Sequence, residues 1–262
     1  MTRVLVGGTA LSVIAAIAVI YPIVSPFAYD GIDLSSIKVP PAGEHWMGTD
    51  ELGRDVATRV MEGARLSLLI GLFGALVATL VGAGLGAVAG FYGGLVDGVL
   101  MRLVDLQLAI PILPVLIVLS AVTRPSVVWL VLMVAAFAWM EPARLARGEF
   151  IRLRELAFAE AARSIGASDF RVIGRHLLPN ALSPLLVAAA LLVGRVIVME
   201  SVLSFLGLGV QPPAPSLGNL LYGAQASLAT EPWLAMFPGL FIFWIVLAVN
   251  LLADGLKPLK SG

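Results

Sequence analysis

The sequence has no cysteine, which excludes disulfides, thiolate metal sites and cysteine nucleophiles. It has two histidines, His45 and His176, too far apart in sequence to suggest a histidine-built metal cage. Charge is scarce: 13% of residues are charged and the formal net charge is zero, which argues against a nucleic-acid partner held by bulk electrostatics. The only lysines are Lys38, Lys257 and Lys260. Lys260 precedes a serine, but a leucine stands where the preceding glycine of a nucleotide-binding loop is required. No G-x-S-x-G elbow and no H-E-x-x-H pair occurs either, so hydrolytic chemistry carried by this chain is poorly supported.

What fills the space is oil. Hydrophobic residues make up 59% of the chain and the mean hydropathy is +0.97, well beyond a soluble domain near half apolar and a quarter charged. Runs of about 20 apolar residues cross a bilayer as helix, because unpaired backbone groups are not tolerated in hydrocarbon. Six such spans are predicted: Val4–Phe27, Leu66–Gly90, one within Val99–Ala121, one within Val127–Met140, Leu185–Leu206 and Leu234–Ala253. Pro111 and Pro114 predict a kink or unwound turn in the third. An Ala16-Ile17-Ala18 triplet in the first resembles a signal-peptidase site, but the apolar run continues past it, which favours a retained helix. The expected fold class is an all-α polytopic membrane protein, one transmembrane domain over residues 1–262.

Lysine and arginine set the orientation. With both termini in the cytoplasm, the inner segments hold 11 of these residues: Arg3, Arg102, seven arginines between Glu141 and Pro184, Lys257 and Lys260. The outer segments hold 5: Lys38, Arg54, Arg59, Arg65 and Arg124. The loops at 27–64 and 207–233 are then external and the segment 141–184 is cytoplasmic. In the first loop, "MGTDELGRD" (47–55) carries turn-forming Gly48 and Gly53, with Thr49 or Asp50 able to cap a helix, and residues 54–63 read as a short interfacial helix. "GLGVQPPAPSLGN" (207–219) reads as an extended, re-entrant cover. Small residues at Gly74, Ala78, Gly82, Gly86, Gly90 and Gly94 form a stripe that admits another helix closely.

The polar cytoplasmic stretch "EAARSIGASDFRVIGRHLLPN" (160–180) predicts two short helices around a turn at Gly166. Phe150, Leu153, Ala157 and Ala161 are expected on one face of the first. Ser168 or Asp169 caps the second, which gathers Phe170, Ile173 and Leu177 and ends at Pro179-Asn180. The alanines leave a smooth surface that another protein can approach, flanked by charges that can pair across an interface.

Glu160-Ala161-Ala162, three residues, Gly166, nine residues, then His176-Leu177-Leu178-Pro179 resembles the "EAA" signature of bacterial ABC-importer permeases. "MGTDELGRDVATRVMEGARLSLLIG" (47–71), "MRLVDLQLAIPILPVLIVL" (101–119), "WMEPARLARGEFIRLRE" (139–155) and "MESVLSFLGLGVQPPAPSLGNLL" (199–221) resemble the C-type permease subunit of the dipeptide and oligopeptide importers. His176 replaces the isoleucine of the generic pattern, as is common in the peptide branch. The polar lead before the first span is shorter than relatives usually carry.

The resemblance implies a type I importer permease fold in a bacterial inner membrane, with a coupling helix that docks on a separate ATPase subunit. Ala157, Glu160, Ala161, Ala162, Arg163 and Gly166 are its expected docking residues. Implied partners are a homologous B-type permease, one or two ABC ATPase subunits holding ATP and Mg, an extracytoplasmic substrate-binding protein and the lipid bilayer. No cofactor on this chain is implied.

Asp105, Arg195 and Glu200 are ionisable groups within spans. They either line the path or hold a gate, or pair with neighbouring helices and fix packing. Nickel-chelate import and a stand-alone ion-driven carrier are the rival readings. The latter would show internal repeats, and none is evident.

Overall fold

The computed structural model describes residues 2–123 and 126–256. Arg124, Lys257 and Lys260, counted in the charge asymmetry, lie outside them. The described residues form eleven α-helices, a π segment and one 3₁₀ turn, with no strand among them. Helices α1 (Thr2–Val24), α2 (Val56–Tyr92) and α11 (Trp233–Leu256) are each long and apolar enough to cross a membrane, as is the run Asp169–Phe205. Two bent pairs are long and apolar enough for two more, if each is taken as one broken span. α3 (Gly94–Leu108) meets α4 (Ile112–Thr123) at 77°, and α5 (Val127–Ala138) meets α6 (Met140–Arg154) at 46°.

The bends follow from proline. Pro111 has no N–H and its ring disfavours helix at Ile110, so α3 stops at Leu108 and α4 restarts beyond it, as expected. Pro114 falls in the first turn of α4, where no backbone donor is needed. The second bend was not expected. Pro142 cannot donate to the carbonyl of Ala138, and the chain turns at Trp139 before α6 begins.

α2 lies at the centre, against α1, α5, α6 and α9 (Leu178–Phe205). Its 37 residues rise about 55 Å, more than a hydrocarbon core of about 30 Å requires. The expected separate helix at 54–63 is therefore its first turns, since nothing between Val56 and Tyr92 interrupts the ladder. Neither Thr49 nor Asp50 caps it. Asp55 does, accepting from Thr58 N at 2.8 Å and holding His45 Nδ1 at 2.9 Å with its other oxygen. Asp50 instead closes its own loop on Leu52 N, Arg54 N and the Arg54 side chain. Gly48 and Gly53 turn that loop at φ of 76° and 71°, as the sequence suggests.

The small-residue stripe does what its spacing predicts. A Cβ on Gly82 or Gly86 would strike the backbone of Trp139 or Ala143, and one on Gly90 would lie 2.5 Å from the carbonyl of Arg147. α6 thus rests directly on α2. Gly94 is not part of the seam: its φ is 55° and nothing lies within 4 Å of a Cβ there.

The loops at 25–55 and 206–232 meet at one end of the bundle, where Lys38 bonds Ser227 and Glu231, both at 3.3 Å. Hydrogen bonds from Thr230 and Ser227, and then from Lys38, hold the Glu231 carboxyl below its ordinary range. The second loop is only partly the extended cover expected. Ser216 starts a helix, α10 (Leu217–Ala224), through a reciprocal capping box with Asn219.

Candidate functional site

At the opposite end, α6 stops at Arg154 and Leu156 turns extended (ψ 147°), so α7 (Ala157–Ser164) starts in a new register. The single face expected for Phe150, Leu153, Ala157 and Ala161 is thereby divided. Phe150 and Leu153 are buried, whereas Ala157 and Ala161 are exposed, and the inward positions of α7 are Ala159 and Ala162. These two pack with Phe91, Val172, Leu177 and Leu185, which fixes the knob to α2 and α9. Gly166 ends α7 at φ 81°. Its N–H bonds Arg163 O at 2.9 Å and that of Ala167 bonds Ala162 O at 3.1 Å, a Schellman closure. Ala157, Glu160, Ala161, Arg163 and Gly166 are accordingly exposed, and Ala162 attaches the knob from within.

The second helix departs further from expectation. α8 (Asp169–Arg171) runs through a π segment, Val172–Leu177, straight into α9, and Pro179 does not stop it. The π turn bonds Leu178 N to Ile173 O, so the ladder has already lost its i→i−4 register where Pro179 brings no donor. The widened turn also rotates the faces. Val172 and Leu177 are buried, Ile173 is half-buried, and Phe170 projects away from them. Phe170 and Ile165, on either side of the Gly166 turn, are 87% and 86% exposed and make an apolar tip; Phe170 is expected from the sequence with Ile173 and Leu177, and Ile165 is not picked out there. Ser168 sits at the cap position without a side-chain cap bond. Two arginines tie the knob down: Arg154 Nη1 donates to Gly90 O at 2.8 Å and Phe91 O at 3.1 Å, and Arg163 lies 5.3 Å over the Phe91 ring.

A second cluster runs along α6 from the bend at Trp139 toward the knob. α6 presents Glu141, Arg144 and Arg147 at helical spacing, each paired with another element. Arg147 holds Asp97 with contacts of 2.5 and 2.6 Å, Arg144 holds Asp105 at 2.5 Å, and Glu141 holds Arg195 of α9. Asp105 and Arg195 thus reach one face through α6. Arg195 comes 17 residues after Leu178 and 10 before Phe205, and Glu141 directly follows the second bend. The side chains of Asp105, Arg144, Glu141 and Arg195 are each about half exposed. A charge facing lipid at the middle of a span, where Arg195 falls, costs about 2.5–3.5 kcal/mol on insertion scales. Both helix breaks border this face, and irregular backbone at membrane depth is tolerated only where protein or water covers it. The face is unsuited to lipid.

Glu200 is elsewhere and fully buried, so it lines no open path in this structure. Its two oxygens accept from Ser67 Oγ at 2.9 Å and Ser204 Oγ at 2.6 Å. Those serines in turn accept from Leu217 N at 3.4 Å and Val210 N at 3.1 Å. One carboxylate therefore binds α2 and α9 to both arms of the 207–224 cover. Arg195 and Glu200, five apart, do not pair with each other.

Four helices long and apolar enough to cross, two bent pairs beside a charged face, and a fixed knob at one end define a multi-pass membrane protein with the importer-permease fold. That fold is the one found in the methionine ABC transporter MetNI solved in inward-facing conformations (TM-score 0.58, 17% identity, 76% of this chain and 96% of that one). Residues 82–259 match the family described as binding-protein-dependent transport system inner membrane component, and the chain belongs to that family. Its curated relatives include the oligopeptide transport system permease protein OppC of Mycobacterium bovis, 40% identical over 90% of this chain and 82% of the relative. The glutathione permease GsiD of Pectobacterium atrosepticum is 40% identical over 86% and 75%, and the dipeptide permease DppC of Bacillus subtilis 38% over 92% and 75%.

Proposed function

We propose that this chain is one of two homologous permease subunits of a peptide importer, carrying dipeptides or oligopeptides inward across a bacterial inner membrane. Oligopeptide, dipeptide and glutathione permeases are its relatives, and all three cargoes are short peptides. ATP and Mg²⁺ belong to separate ATPase subunits, and a substrate-binding protein delivers cargo to the end carrying residues 25–55 and 206–232. The knob end is cytoplasmic, in keeping with the arginine excess of residues 141–184.

The observation that carries this reading is the knob. Its apolar tip, Ile165 and Phe170, projects free of the bundle while Ala159 and Ala162 root it in the core below. Ala157, Glu160, Ala161, Arg163 and Gly166 surround the tip as docking surface, and Ala162 supports them. Closure of the ATPase dimer moves the knob, and α6 and α9 carry that movement to the charged face, where Asp105 and Arg195 line the path. Coupling of this kind requires the nucleotide state to favour one arrangement by a real free-energy difference. Glu200 acts at the outer mouth, holding the cover.

Gly166→Pro forces φ from 81° to about −65°, and Glu160→Lys reverses an exposed charge beside the tip. Both variants are expected to insert and assemble but to hydrolyse ATP without accumulating labelled dipeptide in proteoliposomes. Normal uptake by both would end the docking assignment. Uptake of a nickel chelate but no peptide by the wild-type complex would replace the cargo.

A further inference from the structure

We infer that the Glu141–Arg195 pair is a contact site for the charged ends of the cargo, Arg195 receiving a carboxylate and Glu141 an ammonium group. The inference rests on the peptide reading above and adds a chemical preference to it.

The pair is incompletely satisfied. A guanidinium offers five N–H donors and a carboxylate about four acceptor positions. Among the described residues the hydrogen bond here joins Arg195 Nη1 to Glu141 Oε2, and both side chains remain more than half exposed. A purely structural pair at this depth would be expected to face protein and close its remaining donors. Among the described residues of this chain nothing covers these donors and acceptors.

The surroundings match a particular ligand. Arg195 stands between two clefts, of about 500 and 240 Å³. The larger is walled by Leu113, Val198 and Val202, the smaller by Pro111 and Phe137, with Ile112 and Met199 shared by both. Apolar walls around adjoining opposite charges suit a molecule with apolar side groups and both charges of its own. A free-ended short peptide is such a molecule. One turn along α6 from Glu141, Arg144 and Asp105 repeat the donor–acceptor combination. A dipeptide reaches about 7 Å end to end, comparable with the 5–6 Å between neighbouring turns of a helix face. The lining can therefore pass a zwitterion from one pair to the next while each cargo charge stays opposite a protein charge.

The test uses the whole reconstituted complex with three forms of one dipeptide: free-ended, C-amidated and N-acetylated. Each uptake rate is taken as variant over wild type for the same peptide, so preferences of the binding protein cancel. Arg195→Gln is expected to cut uptake of the free-ended and acetylated peptides about tenfold while leaving the amidated ratio near one. Glu141→Gln should do the reverse, sparing the acetylated form. Arg195→Lys, which keeps the charge, should restore much of the carboxylate-dependent uptake. Equal loss for all three peptides in both variants, with recovery in the Glu141→Arg/Arg195→Glu exchange, would mark the pair as structural and overturn the inference. Unchanged ratios throughout would overturn it too. A wild-type complex that imports none of the three peptides would remove the peptide reading itself and this inference with it.

Discussion

At the scale of single residues, the instructive case is Glu200. An acid in the middle of an apolar span invites a functional reading, and its spacing from Arg195 says only that the two are poor partners. One partner, Ser204, is four residues on along the same helix, but the other, Ser67, is 133 residues away in sequence, so local spacing reveals only part of the serine cluster that encloses it. The consequence is testable. Glu200→Leu leaves Ser67 and Ser204 without their acceptor and releases both arms of the 207–224 cover. An unsatisfied buried polar group costs about 1–3 kcal/mol, so the melting temperature of the detergent-solubilised complex should fall, and hydrogen exchange should rise first at residues 207–224. Glu200→Gln keeps an acceptor for one serine and should lie between. Exchange that rises evenly along the chain would count against a local anchoring role. Gly166, by contrast, was legible. A lone glycine after a helical pattern is a stop signal, and its φ of 81° bears that out.

At the scale of elements, hydropathy sufficed to find the four continuous helices long and apolar enough to cross, because lipid leaves the backbone little choice but to bond within itself. The breaks were legible to the extent that proline stood in mid-pattern. Pro111 did. Pro142 lies at the third residue of α6, where proline looks like an ordinary helix start, so the bend at Trp139 went unseen. The π segment was hidden for a related reason: no residue type marks it, and Pro179 looked like an end. The stripe on α2 makes the sharpest prediction here. Gly84→Ala should be neutral, because nothing lies within 4 Å of its added methyl group, whereas Gly86→Ala drives that group into the Ala143 backbone. Overpacking of this kind costs about 1–3 kcal/mol. Thermal unfolding of the two variants should differ accordingly, and equal behaviour would mean that α6 does not rest on α2 as described.

At the scale of the molecule, the exposed surfaces are where sequence reading fell short. Apolar residues on a helix are ordinarily assigned to its inner face, which is why Phe170 is grouped with Ile173 and Leu177 in the sequence and Ile165 is passed over, although both are exposed. Exposed large apolar groups grouped at one tip mark an interaction surface. Replacing both with aspartate touches no core contact, so insertion and stability should hold while co-purification of the ATPase subunits drops by at least about tenfold. Retention of the ATPases at wild-type levels would move the docking surface off the tip.

The bend at Trp139 has a mechanical meaning of its own. Everything from Met140 to Arg154 is one stiff arm about 22 Å long, joined to the knob at its far end and seated on Gly82, Gly86 and Gly90 of α2 along its length. Swinging that arm by about 10° would displace the far end by about 4 Å and would have to take the knob end of α2 with it. The knob therefore pulls on the central helix as well as on the arm.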